Sequence, residues 1–213
     1  MKKTLLTSLL AATTLVSAYA QAELSANVAV TSNYIWRGME QTDGGPAVQG
    51  GVDYADASGF YVGTWASNVD DWGVDASFEL DLYGGYTGTA GGWDYDIGYV
   101  LFMYPGADVD LDFGEIYGSV SKGALSLGVA VLANANGADF GDSIYLSADY
   151  SIDAIEGFDT AVHVGSYSGD FSSDAIDFGA TIGKDFWTVG ASMMTEGDDE
   201  LKLYASAAWD FDL

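Results

Sequence analysis

Between Leu201 and Leu213 every odd position is apolar (Leu201, Leu203, Ala205, Ala207, Trp209, Phe211, Leu213), while the even ones are Lys202, Tyr204, Ser206, Ala208, Asp210 and Asp212. Strict alternation with one apolar face marks a β-strand lying between two environments. With two aromatics on its apolar side, this segment fits the closing strand of an outer-membrane β-barrel, its apolar face on lipid and its polar face on the lumen.

The other end of the chain points the same way. Lys2 and Lys3 precede an apolar run from Leu5 to Val16, followed by small residues with two A-x-A sites. This is the pattern of a cleaved signal peptide. Residues 1–22 are expected to be that peptide, cut after Ala22, with a cut after Ala20 as the near alternative; residues 23–213 would then form the barrel. The apolar run is too short to span a bilayer, and no other segment reads as a transmembrane helix.

Removal of the peptide would leave four basic residues (Arg37, Lys122, Lys184, Lys202) against 32 acidic ones, a net charge of −28. Such a chain is excluded as a nucleic-acid binder. Acidity of this order normally accompanies low hydropathy and disorder, yet 49% of the residues are hydrophobic and 14% aromatic. The two facts require segregated surfaces, which a barrel supplies through an apolar belt outside and acids in the lumen and loops. The absence of cysteine removes disulfides and thiolate ligands from consideration.

Two prolines and 28 glycines, many inside alternating runs, argue for close-packed strands rather than helices. Alternation between turn signals predicts twelve strands, at 24–37, 46–56, 59–68, 74–86, 92–104, 111–121, 124–133, 143–152, 158–168, 174–184, 186–196 and 200–213. The expected fold is all-β, an antiparallel transmembrane β-barrel. The period is clean in Val74, Ala76, Phe78, Leu80 and Leu82, set against Asp75, Ser77, Glu79, Asp81 and Tyr83. Near Glu115 it slips from Leu111 and Phe113 to Ile116 and Val120, as a bulge, a wrong boundary or a lumenal apolar residue would make it.

The connections carry a second pattern. Those on the side of the termini are short, and Lys122 and Lys184 fall there; those opposite are mostly longer and hold most loop acids, including Asp70, Asp71, Asp108, Asp110, Asp139 and Asp142. Outer-membrane barrels have short periplasmic turns and longer extracellular loops, which predicts a strongly negative outer mouth. The rival is a secreted β-sandwich, whose strands would also alternate. The C-terminal strand and the joint acid and apolar content favour the barrel.

At residues 32–73 the pairs Asn33-Tyr34, Arg37-Gly38, Gln41-Thr42, Pro46-Ala47 and Gln49-Gly50 precede the run Gly63-Thr64-Trp65-Ala66-Ser67-Asn68. In these motifs the chain resembles the TorF-type porin family of proteobacterial envelope proteins, although Glu40 stands where that pattern would place a serine. The resemblance implies a channel-forming barrel of the bacterial outer membrane. It brings no substrate and no catalytic residues.

Candidate pore-lining residues follow from the alternation. Arg37, the only arginine, continues the face of Asn27, Thr31, Asn33 and Ile35 and is expected in the lumen. There it would either set a transverse field at a constriction or form an ion pair tying the first strand to a neighbour. Asp75, Glu79, Asp81, Asp94, Asp96, Asp149, Asp177 and Asp210 all oppose apolar partners in their strands. Such carboxylates favour cations in a water-filled pore. A lumen plugged by the same side chains is the alternative, since twelve strands fall between filled barrels and wide porins; an open, narrow pore is the expectation.

Other chemistries find less support. Asp108, Asp110 and Asp112 begin like a calcium loop, but Phe113 replaces the glycine at position six and Ser119 the glutamate at position twelve. The run Glu196, Asp198, Asp199 and Glu200 reads as solvated loop or loose bridging at a lipopolysaccharide surface. An outer-membrane enzyme would need His163, the only histidine, beside a nucleophile; Gly165 shares its face and Ser166 points away, so His163 reads as a lumenal polar residue. An adhesive or structural barrel would need larger loops. The expected function is that of a porin-like outer-membrane channel for passive diffusion of small hydrophilic solutes or ions with a preference for cations, with membrane lipid and lipopolysaccharide as surroundings and no cofactor. The oligomeric state is open.

Overall fold

The computed structural model describes residues 22–169, 174–197 and 199–213. Residues 1–21 of the expected signal peptide lie outside that range, as do Asp170 and Asp198. Within it, twelve antiparallel strands close into a barrel. They are β1 (Glu23–Thr31), β4 (Ala47–Ala55), β5 (Phe60–Asn68), β6 (Phe78–Ala90), β7 (Trp93–Met103), β8 (Phe113–Lys122), β9 (Leu125–Ala135), β10 (Ile144–Ser151), β11 (Asp159–Ser168), β12 (Ala175–Lys184), β13 (Trp187–Met194) and β14 (Lys202–Asp212). Two short strands, β2 (Ile35–Trp36) and β3 (Met39–Glu40), form a separate hairpin.

Every barrel strand pairs with its neighbours in sequence, and β1 closes the ring by pairing with β14, Ser25 opposite Asp212 through Thr31 opposite Ser206. Closure leaves no open edge, so every strand has backbone partners on both sides. The alternating faces then divide. Leu24, Val48, Val62, Leu82, Ile97, Leu127, Val164, Phe178, Leu203 and Trp209 are exposed on the outer surface, while Gln49, Ser67, Glu79, Asp96, His163 and Asp177 are buried inside. This inversion of the usual soluble pattern is what a lipid-facing wall requires.

The glycines serve that packing. Tyr83 lies over Gly63, and Tyr204 over Gly190, each opposite in register; a Cβ on either glycine would sit inside the tyrosine ring's contact distance. A glycine on one strand thus makes room for a lumenal tyrosine on the next.

At the end carrying both termini the strands join through short turns, such as Gly91-Gly92 with φ of +62° and +78°, the two positive values of a type I′ hairpin. The opposite connections are mostly longer, as expected, residues 152–158 between β10 and β11 being the exception among the short turns. The slip near Glu115 comes from a lumenal apolar residue, Phe113, which stacks on Phe102 and meets Trp36 on the same face as Glu115. Strand β8 keeps its parity, and a β-bulge lies instead in its neighbour β9, where Glu115 pairs with Leu132 and Gly114 with Asn134, leaving Ala133 as the extra residue. The bulge leaves Leu132 on the inner face with Ala130 and turns Asn134 outward to meet Tyr99.

Two expectations need correction. The first strand does not run to residue 37. It stops at Thr31, whose hydroxyl bonds the Asn33 carbonyl at 2.8 Å, and the chain turns into the barrel. The strand predicted from residue 74 begins only at Phe78, because Asp75 sits in a turn at φ +56°. Asp75 is therefore an exposed loop residue rather than a lumenal one.

Candidate functional site

The segment between β1 and β4 folds into the lumen and meets most of the wall. Its β2–β3 hairpin turns through Arg37 (φ +49°) and Gly38 (φ +82°), with Trp36 opposite Met39. Two consecutive positive φ values make a two-residue type I′ turn. Gly38 is required twice over, since a Cβ there would come within 2.8 Å of the Asp177 Cβ on β12, in a conformation that side chains avoid.

The hairpin's contacts run around the ring. Trp36 packs on Phe102 of β7, Phe113 of β8 and Tyr167 of β11, with centroids 5.6, 6.2 and 6.4 Å away. Tyr34, ahead of the hairpin, meets Trp65 of β5 edge-on at 5.5 Å and joins a buried cluster with Ala47, Val69 and Ala76. Met39 packs against Ala130, Tyr145 and Tyr167. The lumen is filled at this level.

Arg37 anchors the arrangement. Its Nη1 and Nη2 donate to Glu115 Oε1 and Oε2 at 2.8 and 2.6 Å, and Nη1 also donates to the Tyr167 hydroxyl at 3.1 Å. The guanidinium lies 4.4 Å from the ring centroids of both Trp36 and Tyr145. A planar, weakly hydrated cation held by a bidentate carboxylate between two aromatic faces is a geometry lysine cannot reproduce. Arg37 and Glu115 are 8% and 4% exposed. Of the two roles expected for Arg37, the geometry is that of an ion pair, but it ties the folded-in loop to β8 and β11 rather than strand one to its neighbour.

His163 on β11 lies between two carboxylates. Its Nδ1 is 2.7 Å from Asp149 Oδ1 on β10, and its Nε2 is 3.0 Å from Asp177 Oδ1 on β12. The Tyr145 hydroxyl is 2.9 Å from Nε2 and donates to Asp177 Oδ2 at 3.0 Å. Both ring nitrogens are engaged by acids, which suits the doubly protonated imidazolium and leaves no nitrogen to serve as a base.

The remaining acids divide between two levels. Glu79 and Asp81 are buried on β6. Asp94, Asp96 and Asp210 share lumenal faces nearer the termini, Asp96 receiving the Tyr61 hydroxyl at 2.8 Å and Asp94 and Asp210 standing exposed. Asp53, which the sequence reading passed over, belongs with them: it accepts from Tyr83 and from Asn27. Its signal was present in the alternation of Asp53 with Val52 and Tyr54. Lys122 and Lys184 continue the outward-facing parity at the rim, leaving this half of the lumen acidic. On the other side of the hairpin a cleft of about 390 Å³ opens among Asn33, Glu40, Gly44, Glu200 and Lys202.

Among solved structures the barrel is similar to a KdgM porin, at TM-score 0.58 and 9% identity over 89% of this chain and 99% of the other. It is also similar to a KdgM porin in complex with disordered oligogalacturonate, at TM-score 0.56 and 7% identity over 90% and 99%. At such identities the likeness speaks to the fold: a twelve-stranded closed barrel of porin type. A search of curated protein sequences gives no match. The family model described as "Bacterial protein of unknown function (Gcw_chp)" matches residues 16–210. The chain therefore belongs to the Gcw_chp family of bacterial proteins.

Proposed function

We propose that this protein is a channel of the bacterial outer membrane, passing small hydrophilic solutes or ions with a preference for cations, and that the inward hairpin closes it in the state described. The observation that carries this reading is the contrast between walls and lumen. An apolar belt surrounds an interior lined by Asp53, Asp94, Asp96, Asp149 and Asp210, open towards the termini and stopped by the Arg37 hairpin. Focusing by low-dielectric walls makes carboxylates in such a space lower the energy of a cation and raise that of an anion. The resemblance to TorF-type porins and the KdgM-like fold support the same class. The oligogalacturonate held by a KdgM porin is a polyanion; the acidic lumen here suits cations or neutral solutes instead.

Selectivity provides the direct test. In a salt gradient across a planar bilayer the reversal potential should carry the sign of a cation-preferring pore. Neutralising Asp53, Asp96 and Asp210 together should reduce that potential more than neutralising Asp108 and Asp110, whose loop charges are screened within about 8–10 Å. An anion-selective reversal potential would contradict the reading.

Orientation is testable separately. With both termini in the periplasm, a cysteine replacing Asp108 should react with a membrane-impermeant maleimide on intact cells, and one replacing Ala57 should react only after lysis. The reverse labelling would invert the barrel.

A further inference from the structure

Glu79 and Asp81 lie two residues apart on the lumenal face of β6, their Cα atoms about 7 Å apart, and are 3% and 6% exposed. Among the described residues neither forms an ion pair with Lys, Arg or His. Glu79 accepts from the Tyr104 hydroxyl at 3.3 Å through Oε1. Yet Glu79 Oε2 and Asp81 Oδ1 are buried with no hydrogen-bond partner.

A third orphan shares the face. Gln49 on β4 is 2% exposed, and neither atom of its amide is bonded. In register, Gln49 pairs with Ser67 of β5, and Ser67 with Glu79. Ser67 is small and spends its hydroxyl on the Asn68 carbonyl, 2.9 Å away, so it does not serve its neighbours. Two carboxylates and a carboxamide thus share one lumenal strip across β4, β5 and β6, with three unpartnered oxygens.

Uncompensated buried charge and unsatisfied buried oxygen are both strongly disfavoured. A proton shared by the acids would serve them and leave the Gln49 oxygen unpaired. A divalent cation serves all three acceptors, balances both charges, and prefers an all-oxygen donor set. A water retained on the ion would accept from the Gln49 amide nitrogen.

We propose that Glu79, Asp81 and Gln49 form a binding site for a hard divalent cation of the calcium class, roofed by Tyr34. The roof couples the site to the hairpin: Tyr34 packs edge-on against Trp65, the register partner of Asp81, at 5.5 Å. Binding is independent of whether solutes pass through the barrel.

Terbium, which enters oxygen-rich calcium sites and is sensitised by nearby indoles, is the probe. The full barrel is stripped with chelator, folded in detergent with terbium chloride, and titrated with calcium chloride. Trp65-sensitised emission should appear and fall as calcium competes. Glu79→Gln with Asp81→Asn, isosteric and still heat-modifiable on gels, should weaken terbium binding at least tenfold; Asp108→Asn with Asp110→Asn should leave it unchanged. Trp65→Phe should dim the emission at unaltered affinity. Equal binding by the Glu79/Asp81 variant would place the ion on the surface loops, and no binding by the folded native barrel would mean the acids are neutralised by protons; either result overturns the proposal. Conductance is not read, so a failed channel reading would leave this test intact.

Discussion

Replacing Arg37 with alanine should destabilise the barrel by about 3–5 kcal/mol, the usual cost of removing one partner from a buried ion pair. It should also convert a rarely conducting protein into a readily conducting one. The two effects share a cause. Without the guanidinium, Glu115 keeps a buried charge with no cation, and Trp36 and Tyr145 lose the group lying 4.4 Å from each of their rings. The hairpin's route to relief is to leave the lumen, which lets water reach Glu115 and clears the cross-section. Urea unfolding in detergent measures the first effect and single-channel recording the second. Arg37→Ala combined with Glu115→Gln should recover part of the stability, since no uncompensated charge remains, while keeping the raised conductance. Arg37→Lys should fall between, because an ammonium supplies charge without the bidentate, stacked geometry. If Arg37→Ala matched the native protein in both measurements, the hairpin would not be held by this pair.

The second large effect concerns the outer wall and should depend on depth. Val164 is central in β11, 40% exposed on the outer face, with Phe178 and Ala148 opposite it on the flanking strands. Arginine there would stand near the bilayer midplane, at about 2–4 kcal/mol. Trp209 lies close to the end of β14, stacked on Phe186 at 5.8 Å, where an aromatic girdle meets the membrane surface. The same substitution at Trp209 should cost about 0–1 kcal/mol in charge burial. Heat-modifiable mobility after folding into lipid vesicles should therefore be lost or sharply reduced for Val164→Arg and retained for Trp209→Arg. Equal folding of both would mean that the outer face does not contact lipid as drawn.

The alternation in the last strand was enough to assign its faces, and the same period located β4 through β13 to within a few residues, because a side chain's face in a strand depends only on its parity. The slip at Leu111 to Val120 had another cause: Phe113 is an apolar residue on the lumenal face, stacked on Phe102, while the extra residue of the bulge, Ala133, belongs to the neighbouring strand and leaves the parity of β8 unchanged. Asp75 escaped this logic. Its alternation with Val74 and Ala76 continued beyond the strand, into a turn whose φ of +56° takes the chain out of the ladder.

Arg37 shows where local pattern stops. Asn33, Ile35 and Arg37 extend the alternation of β1 without a break, so the sequence placed the arginine in the lumen but on the wrong element. The local trace of the true arrangement was Arg37-Gly38 between Trp36 and Met39, a tight turn between two large apolar residues. What the turn enters is not local information. Glu115 lies 78 residues away and Tyr167 lies 130 away, and they reach Arg37 only because the ring has closed around it. Sequence alone determined which side chains face lipid and which face inward, since that is a property of consecutive residues along a strand. Tertiary structure decided which inward charges meet, which stand exposed, and that a loop packs inside the barrel, because those depend on curvature, register and the return of that loop into the space that all twelve strands enclose.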